Sequence, residues 1–172
     1  SYRLGLEVDS KLYINSSLNI ESNFSIREKK NKNLFFNFHG ELRNYGNTDI
    51  AYSPNFIANN IINISPSDKT LVSLRSNYVS EQFFAQINSP ISKLDSFFIN
   101  DINVVHEVLM PNYADELKIK LLINNIFDVK YTSYGGYYTY ELPEGNSLKT
   151  YEGTYYYPQS GINFLLGIDI KI

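Results

Sequence analysis

The 172-residue sequence has no cysteine and no tryptophan, and only two histidines. Without cysteine there is no disulfide framework, no thiolate metal site and no cysteine nucleophile. His39 and His106 stand in different segments, and neither has a His, Asp or Glu at the short spacing that metal sites use. No catalytic residue, metal site or cofactor is expected. Basic residues are outnumbered, 15 Lys and Arg against 18 Asp and Glu, so no concentrated basic surface offers itself to a phosphate backbone and nucleic acid is not an expected partner. No run approaches ~18 consecutive apolar residues, which excludes a transmembrane helix. A membrane is not thereby excluded. A spanning strand signals through alternation, which averages out to a mean hydropathy of only −0.27 here.

Aromatic and β-branched residues are abundant, with 15 Tyr and 11 Phe, and their period is two rather than 3.6. Tyr2, Leu4, Leu6 and Val8 alternate with Arg3, Gly5, Glu7 and Asp9. The pattern returns with Leu18, Ile20, Ser22, Phe24 and Ile26, and with Leu117, Ile119, Leu121, Ile123 and Phe127. It is clearest in Ile162, Phe164, Leu166, Ile168, Ile170 and Ile172. Weaker runs at 55–64, 70–80 and 96–108 place Val72, Leu74, Tyr78, Phe98, Ile102, Val104 and Val108 on the oily side, with His106 at its edge. The chemistry therefore predicts seven strands of about 10–12 residues, longer than the mode of ~5–6 in globular proteins and matched to a tilted bilayer crossing of ~9–11.

The connections alternate strictly. Asn15-Ser16-Ser17, 65–69 and 111–116 are compact turns, whereas 28–54, 81–95 and 128–159 are long. All short turns thus lie at one end of the sheet and all long loops at the other, as in outer-membrane barrels. Seven strands fall below the even numbers from about eight that close such barrels, and an open sheet would leave orphan backbone groups in lipid. Ser1 also falls inside an alternating pattern. Both features predict a chain that begins mid-protein, with the barrel completed elsewhere.

Against this frame, Asn125-Ile126-Phe127-Asp128-Val129-Lys130-Tyr131 resembles the Asn-Leu-Phe-Asp-x-x-Tyr segment of TonB-dependent outer-membrane receptors. Tyr157-Pro158-Gln159-Ser160-Gly161-Ile162-Asn163-Phe164 is similar to that family's entry into its last strand, and Ala51-Tyr52-Ser53-Pro54-Asn55-Phe56 to a loop-to-strand element ahead of an earlier hairpin. Ile162 stands where the family usually has Arg, and Ile172 where it usually ends in an aromatic residue. The Asn-, Ile- and Lys-rich style is similar to that of Bacteroidota receptors. The resemblance implies an all-β fold: residues 1–172 as the C-terminal part of an antiparallel transmembrane β-barrel of about 22 strands, plugged by an N-terminal domain. It further implies residence in the outer membrane of a Gram-negative bacterium and uptake of a scarce nutrient, a ferric siderophore or other iron chelate, energised by the TonB complex. The partners implied are outer-membrane lipid, the plug of the same receptor, TonB and a small iron-chelate ligand. Rival readings are glycan or cobalamin uptake, a passive porin-like or structural barrel, and a soluble β-sandwich.

Two residue sets carry the expected contacts. Arg3, Glu7, Asp9, Arg75, Asp101, Lys118 and Lys120 share the polar face, a wet surface in a sandwich but a plug-facing lumen wall in a barrel. Nine tyrosines crowd the last long loop. Tyr131 and Tyr155, Tyr156 and Tyr157, near strand ends, suit an aromatic girdle. Tyr134, Tyr137, Tyr138 and Tyr140, deeper in the loop, suit either girdle or capture of an amphipathic ligand, because a phenol offers a flat apolar body with one polar tip. Gly135-Gly136 is expected to turn the loop at its tip, and Glu141, Glu144 and Glu152 to be solvated. The sequons at Asn15, Asn23 and Asn63 are explained by the abundance of Asn.

Overall fold

A computed structural model describes residues 1–38, 41–110, 116–145 and 147–171; His39, most of the turn expected at 111–116, and Ile172 lie outside the described residues. The chain opens with β1 (Tyr2–Asn15) and β2 (Leu18–Asn31), joined by a two-residue turn that the Asn15 side chain caps by accepting the Ser17 N–H at 2.8 Å. The first long connection holds a small hairpin, β3 (Phe35–Phe38) and β4 (Glu41–Asn44), and the short β5 (Thr48–Asp49), which returns to pair with β2. β6 (Phe56–Ser67) and β7 (Thr70–Val79) follow. The second connection carries β8 (Gln82–Phe83), a 3-10 turn at Pro90–Ser92 and β9 (Lys93–Leu94). Next come β10 (Phe97–Val108) and β11 (Glu116–Asn124), then the hairpin β12 (Thr132–Glu144) and β13 (Ser147–Pro158), and finally β14 (Asn163–Lys171).

Seven of these form one antiparallel meander, in the order β1-β2-β6-β7-β10-β11-β14. The expected strands are all present, the first two longer than anticipated at 14 residues each. Register explains why the alternation was so consistent. Leu12, Ile20, Ile62, Leu74, Ile102, Ile123 and Phe164 are successive cross-strand partners, so one apolar row runs across the whole sheet. A second links Leu18, Ile64, Val72, Val104, Leu121 and Leu166. A one-residue slip in any strand would turn these side chains to the opposite face, so the pattern fixes the register. His106 sits where expected, at the short-turn end of this face, its Nδ1 2.9 Å from the Thr70 hydroxyl.

The opposite face is polar. Glu7 pairs with Arg27, Lys11 with Glu21 at 2.7 Å, and Lys120 with Asp169. Arg75 lies directly across from Asp101. Asp9, Lys11, Glu21, Asn23 and Asn59 line a concavity of about 400 Å³ on this side.

The last long connection differs from expectation. It is a β-hairpin almost throughout, and Gly135-Gly136 is not its tip. Gly136 pairs with Tyr155, whose ring occupies the space a Cβ at Gly136 would need; Gly153 gives way to the ring of Tyr138 in the same manner. These glycines serve close packing inside strands. The turn falls at Glu144–Ser147, where Gly145 takes the left-handed φ of +62°. Phe127 also departs from the alternation, because the chain leaves β11 at Asn125 with φ +50°.

Candidate functional site

The base of the tyrosine hairpin is set by Asn125 and Asp128. The Asn125 side chain, 3% exposed, accepts the Val129 N–H at 2.9 Å and donates to the Val129 and Ser160 carbonyls, while its backbone N–H donates to Asp101 at 2.8 Å. Asp128 accepts the Ile162 N–H at 3.0 Å and the Lys130 ammonium at 2.8 Å. The Lys130 ammonium, and then the Ile162 N–H, hold this carboxyl below the ordinary carboxylate range. Together these bonds draw the end of β11 against the entry to β14, so the hairpin must leave from one narrow root.

Above the root, the other two long connections hold the hairpin. Tyr52, in left-handed conformation at φ +53°, donates its hydroxyl to the Gly135 carbonyl and stacks on Tyr134 with ring centroids 5.2 Å apart. Tyr156 donates to the Ile91 carbonyl at 2.8 Å and meets Phe84 edge-on. Glu152 accepts from Ser89 at 2.7 Å with one oxygen and from Tyr137 at 2.8 Å with the other. It is therefore a bridge between two loops and not merely solvated. Burial, then the hydrogen bond to Glu152 and its charge, push the Tyr137 phenol far above its ordinary value.

Where the three connections meet lies a cavity of about 280 Å³. Phe36 and Tyr45 come from the first connection, 84–87 from the second, and Tyr137, Tyr138 and Thr139 from the hairpin. The Gln86 amide in its wall accepts from Asn31 at 3.2 Å, tying the second connection to the end of β2. An aromatic wall with a few polar tips suits an amphipathic small molecule. Of the four tyrosines expected here, Tyr137 and Tyr138 line the cavity. Tyr134 instead stacks on Tyr52 and meets Tyr157 at a tilt, and Tyr140 stacks between Tyr138 and Tyr151. The wall residues Phe36, Tyr45, Phe84 and Ile87 were missed; the local signals were Leu34-Phe35-Phe36 and Phe83-Phe84-Ala85, apolar runs inside long polar connections. Among the described residues, no group of three or more His, Asp or Glu is placed to hold a metal.

The polar-face set is brought to one side, though not to one point. Arg3, Glu7 and Asp9 lie along β1, Arg75 and Asp101 at mid-sheet, and Lys118 and Lys120 on β11 beside Glu116 and Asp169.

No family model and no curated protein sequence matches the chain. Solved structures do. The siderophore receptor PiuA from Acinetobacter baumannii superposes with a TM-score of 0.72 at 16% identity, over 96% of this chain and 21% of that one. The ferric yersiniabactin uptake receptor FyuA from Yersinia pestis gives 0.62 at 16%, over 96% and 22%. The ferric-catecholate import receptor Fiu from E. coli K12, in its open form, gives 0.60 at 15%, over 96% and 20%. The chain has the fold of a stretch of these receptors. At such identities the likeness is one of fold, and the chain spans about a fifth of the length of these receptors.

Proposed function

We propose that residues 1–172 are the C-terminal part of the barrel of a TonB-dependent receptor in a Gram-negative outer membrane, and that the receptor imports an iron chelate of the ferric siderophore class. On this reading β1 and β14 pair with strands supplied by the rest of the receptor. Its plug packs against the wall bearing Arg3, Glu7, Asp9, Arg75, Asp101, Lys118 and Lys120, and TonB supplies the energy. The protein binds and passes its cargo without making or breaking a covalent bond, so it is not an enzyme.

The observation that carries the reading is the aromatic cavity closed by all three long connections, at the sheet end opposite the short turns. Tyr137 and Tyr138 form its wall, with Tyr134 and Tyr140 as an exposed aromatic surround. Phenol and phenyl faces contact aryl and alkyl parts of a chelate at little entropic cost. The names of the similar receptors favour an iron chelate over a glycan or cobalamin.

The test is binding to the purified full-length receptor, followed by quenching of its tyrosine fluorescence. Ferric siderophores should bind saturably, and Tyr138→Ala should weaken them about tenfold, as loss of an aromatic contact does. Binding of cobalamin or oligosaccharide alone overturns the cargo. Uptake that persists in cells lacking TonB overturns energised import in favour of a passive pore.

A further inference from the structure

One row of the apolar face is not apolar. Ser10, Ser22, Asn60, Ser76 and Asn100 are successive cross-strand partners through β1, β2, β6, β7 and β10. The row on one side is Val8, Phe24, Ala58, Tyr78 and Phe98; the row on the other is Leu12, Ile20, Ile62, Leu74 and Ile102. Five polar side chains therefore stand in line within a surface that otherwise suits hydrocarbon.

The ends of the row satisfy themselves in part. Ser10 donates to the Ser22 carbonyl at 3.4 Å, and Ser76 to Asn100 Oδ1 at 2.6 Å. Asn100 is only 5% exposed, although its Nδ2 has no partner. The centre is different. Asn60 is exposed, and its amide has no hydrogen-bond partner among the described residues. Lipid chains can neither donate to it nor accept from it.

We propose that this row is the contact through which two copies of the receptor associate in the membrane, centred on Asn60. The chemistry of the row selects a second copy. It carries no charge, so it offers nothing to an ionic headgroup or an oppositely charged partner. Every member both donates and accepts, so the row complements itself. Two copies inserted in the same sense are related by a two-fold axis along the membrane normal, which sets the same patch against itself. Opposed primary amides then bond reciprocally. Two convex barrel walls touch over few strands, and β6 is the middle strand of the row. The inference rests on the membrane-barrel reading of this face but not on the cargo.

Asn60→Cys tests it in the full-length receptor, with any cysteine outside these 172 residues replaced by serine, oxidised within its own membranes. Ile168→Cys, equally outward on β14 and 61% exposed, is the comparator. At least ten times more disulfide-linked dimer is expected from Asn60→Cys, and Asn60→Leu should shift the native mass in mild detergent from two copies to one. Equal or absent dimer from the two cysteine variants overturns the proposal. So does a native mass showing one copy joined to a lipid or to a different protein. A monomer that still takes up ferric chelate overturns the dimer alone; a receptor that leaves the membrane without detergent overturns the barrel reading beneath both.

Discussion

The meander and the loop cluster are held together in opposite ways. Among the described residues, the buried apolar side chains are Phe84, Ala85 and Leu94, and all three belong to the connection between β7 and β10. The seven-stranded sheet has none. Its most exposed apolar side chains are Phe164 at 76% and Leu4 at 71%. Area removed from water therefore stabilises the loops as it would any soluble protein. The sheet depends on cross-strand hydrogen bonds and on a solvent that accepts its oily face. On the proposed membrane reading one chain uses two solvents, and a given substitution should have different consequences on either side of the strand ends.

The sharpest contrast comes from deleting a large side chain. Phe84→Ala removes a buried ring that packs on Tyr156, and should cost the loop cluster ~3–5 kcal/mol. Amide exchange in the full-length receptor should then accelerate at 80–96 and 132–158 while the sheet keeps its protection. Equal acceleration in β6 and β7 would show that loops and sheet form one cooperative unit. The converse is Ile62→Arg, within the longest apolar row. A cation facing the hydrocarbon should destabilise the barrel by ~2–4 kcal/mol toward the middle of the bilayer. Urea unfolding in vesicles would measure it, and the same change at Leu148, exposed on β13, should cost almost nothing.

This division also decided what could be read from the sequence. In the sheet each strand carries its own instruction, since an oily face on one side and a polar face on the other impose alternation residue by residue. Ile20, Leu74, Ile102, Ile123 and Phe164 could therefore be assigned to one face before any pairing was known. The loop cluster carries no such local rule. Residues 132–158 place tyrosines on both faces of a hairpin, so the period disappears and the segment resembles irregular loop. Gly135-Gly136 resembled a turn because glycine is common in turns, yet its role depends on the Tyr155 ring across the strand pair, a relation visible only in the register. Tyr137 and Tyr138 were found by composition. Phe36 and Tyr45 were not, because what brings them to the cavity is packing between loops distant in sequence.

Asn125 stands at the junction of the two regions and allows them to be uncoupled. Asn125→Ala leaves the Val129 N–H and the Val129 and Ser160 carbonyls without this partner, and puts alanine where φ is +50°. Unpaired buried groups cost ~1–3 kcal/mol. The loss should fall on the root of the hairpin, freeing 126–131 and 159–162 in amide exchange while 132–158 stays protected by its contacts with Tyr52, Ile91 and Ser89. If the whole hairpin is released with its root, the loop contacts are secondary to the Asn125 clamp. Asn125→Gly, which relieves the backbone but not the hydrogen bonds, separates the two contributions.

The smallest expected effect is alkaline, and it should be confined to the loops. Burial first, then the hydrogen bond to Glu152 and its negative charge, raise the Tyr137 phenol above its unfolded value of about 10. A raised folded-state value means that folding favours the protonated phenol. The stabilisation is complete below about pH 10 and is lost as the pH rises from there toward the folded-state value. The hairpin should therefore loosen from Ser89 and the second connection in strong alkali, while β6, β7 and β10 are unaffected. Ring-labelled tyrosine NMR, with Tyr137→Phe as the assignment control, should show one phenol titrating well after the others. Glu152→Gln keeps a hydrogen-bond acceptor but removes the charge, so it should bring that titration down and blunt the loosening. An ordinary Tyr137 titration would mean that Glu152 does not hold the phenol, and that the bridge from hairpin to second connection rests on the Ser89–Glu152 hydrogen bond, Tyr156 and Phe84.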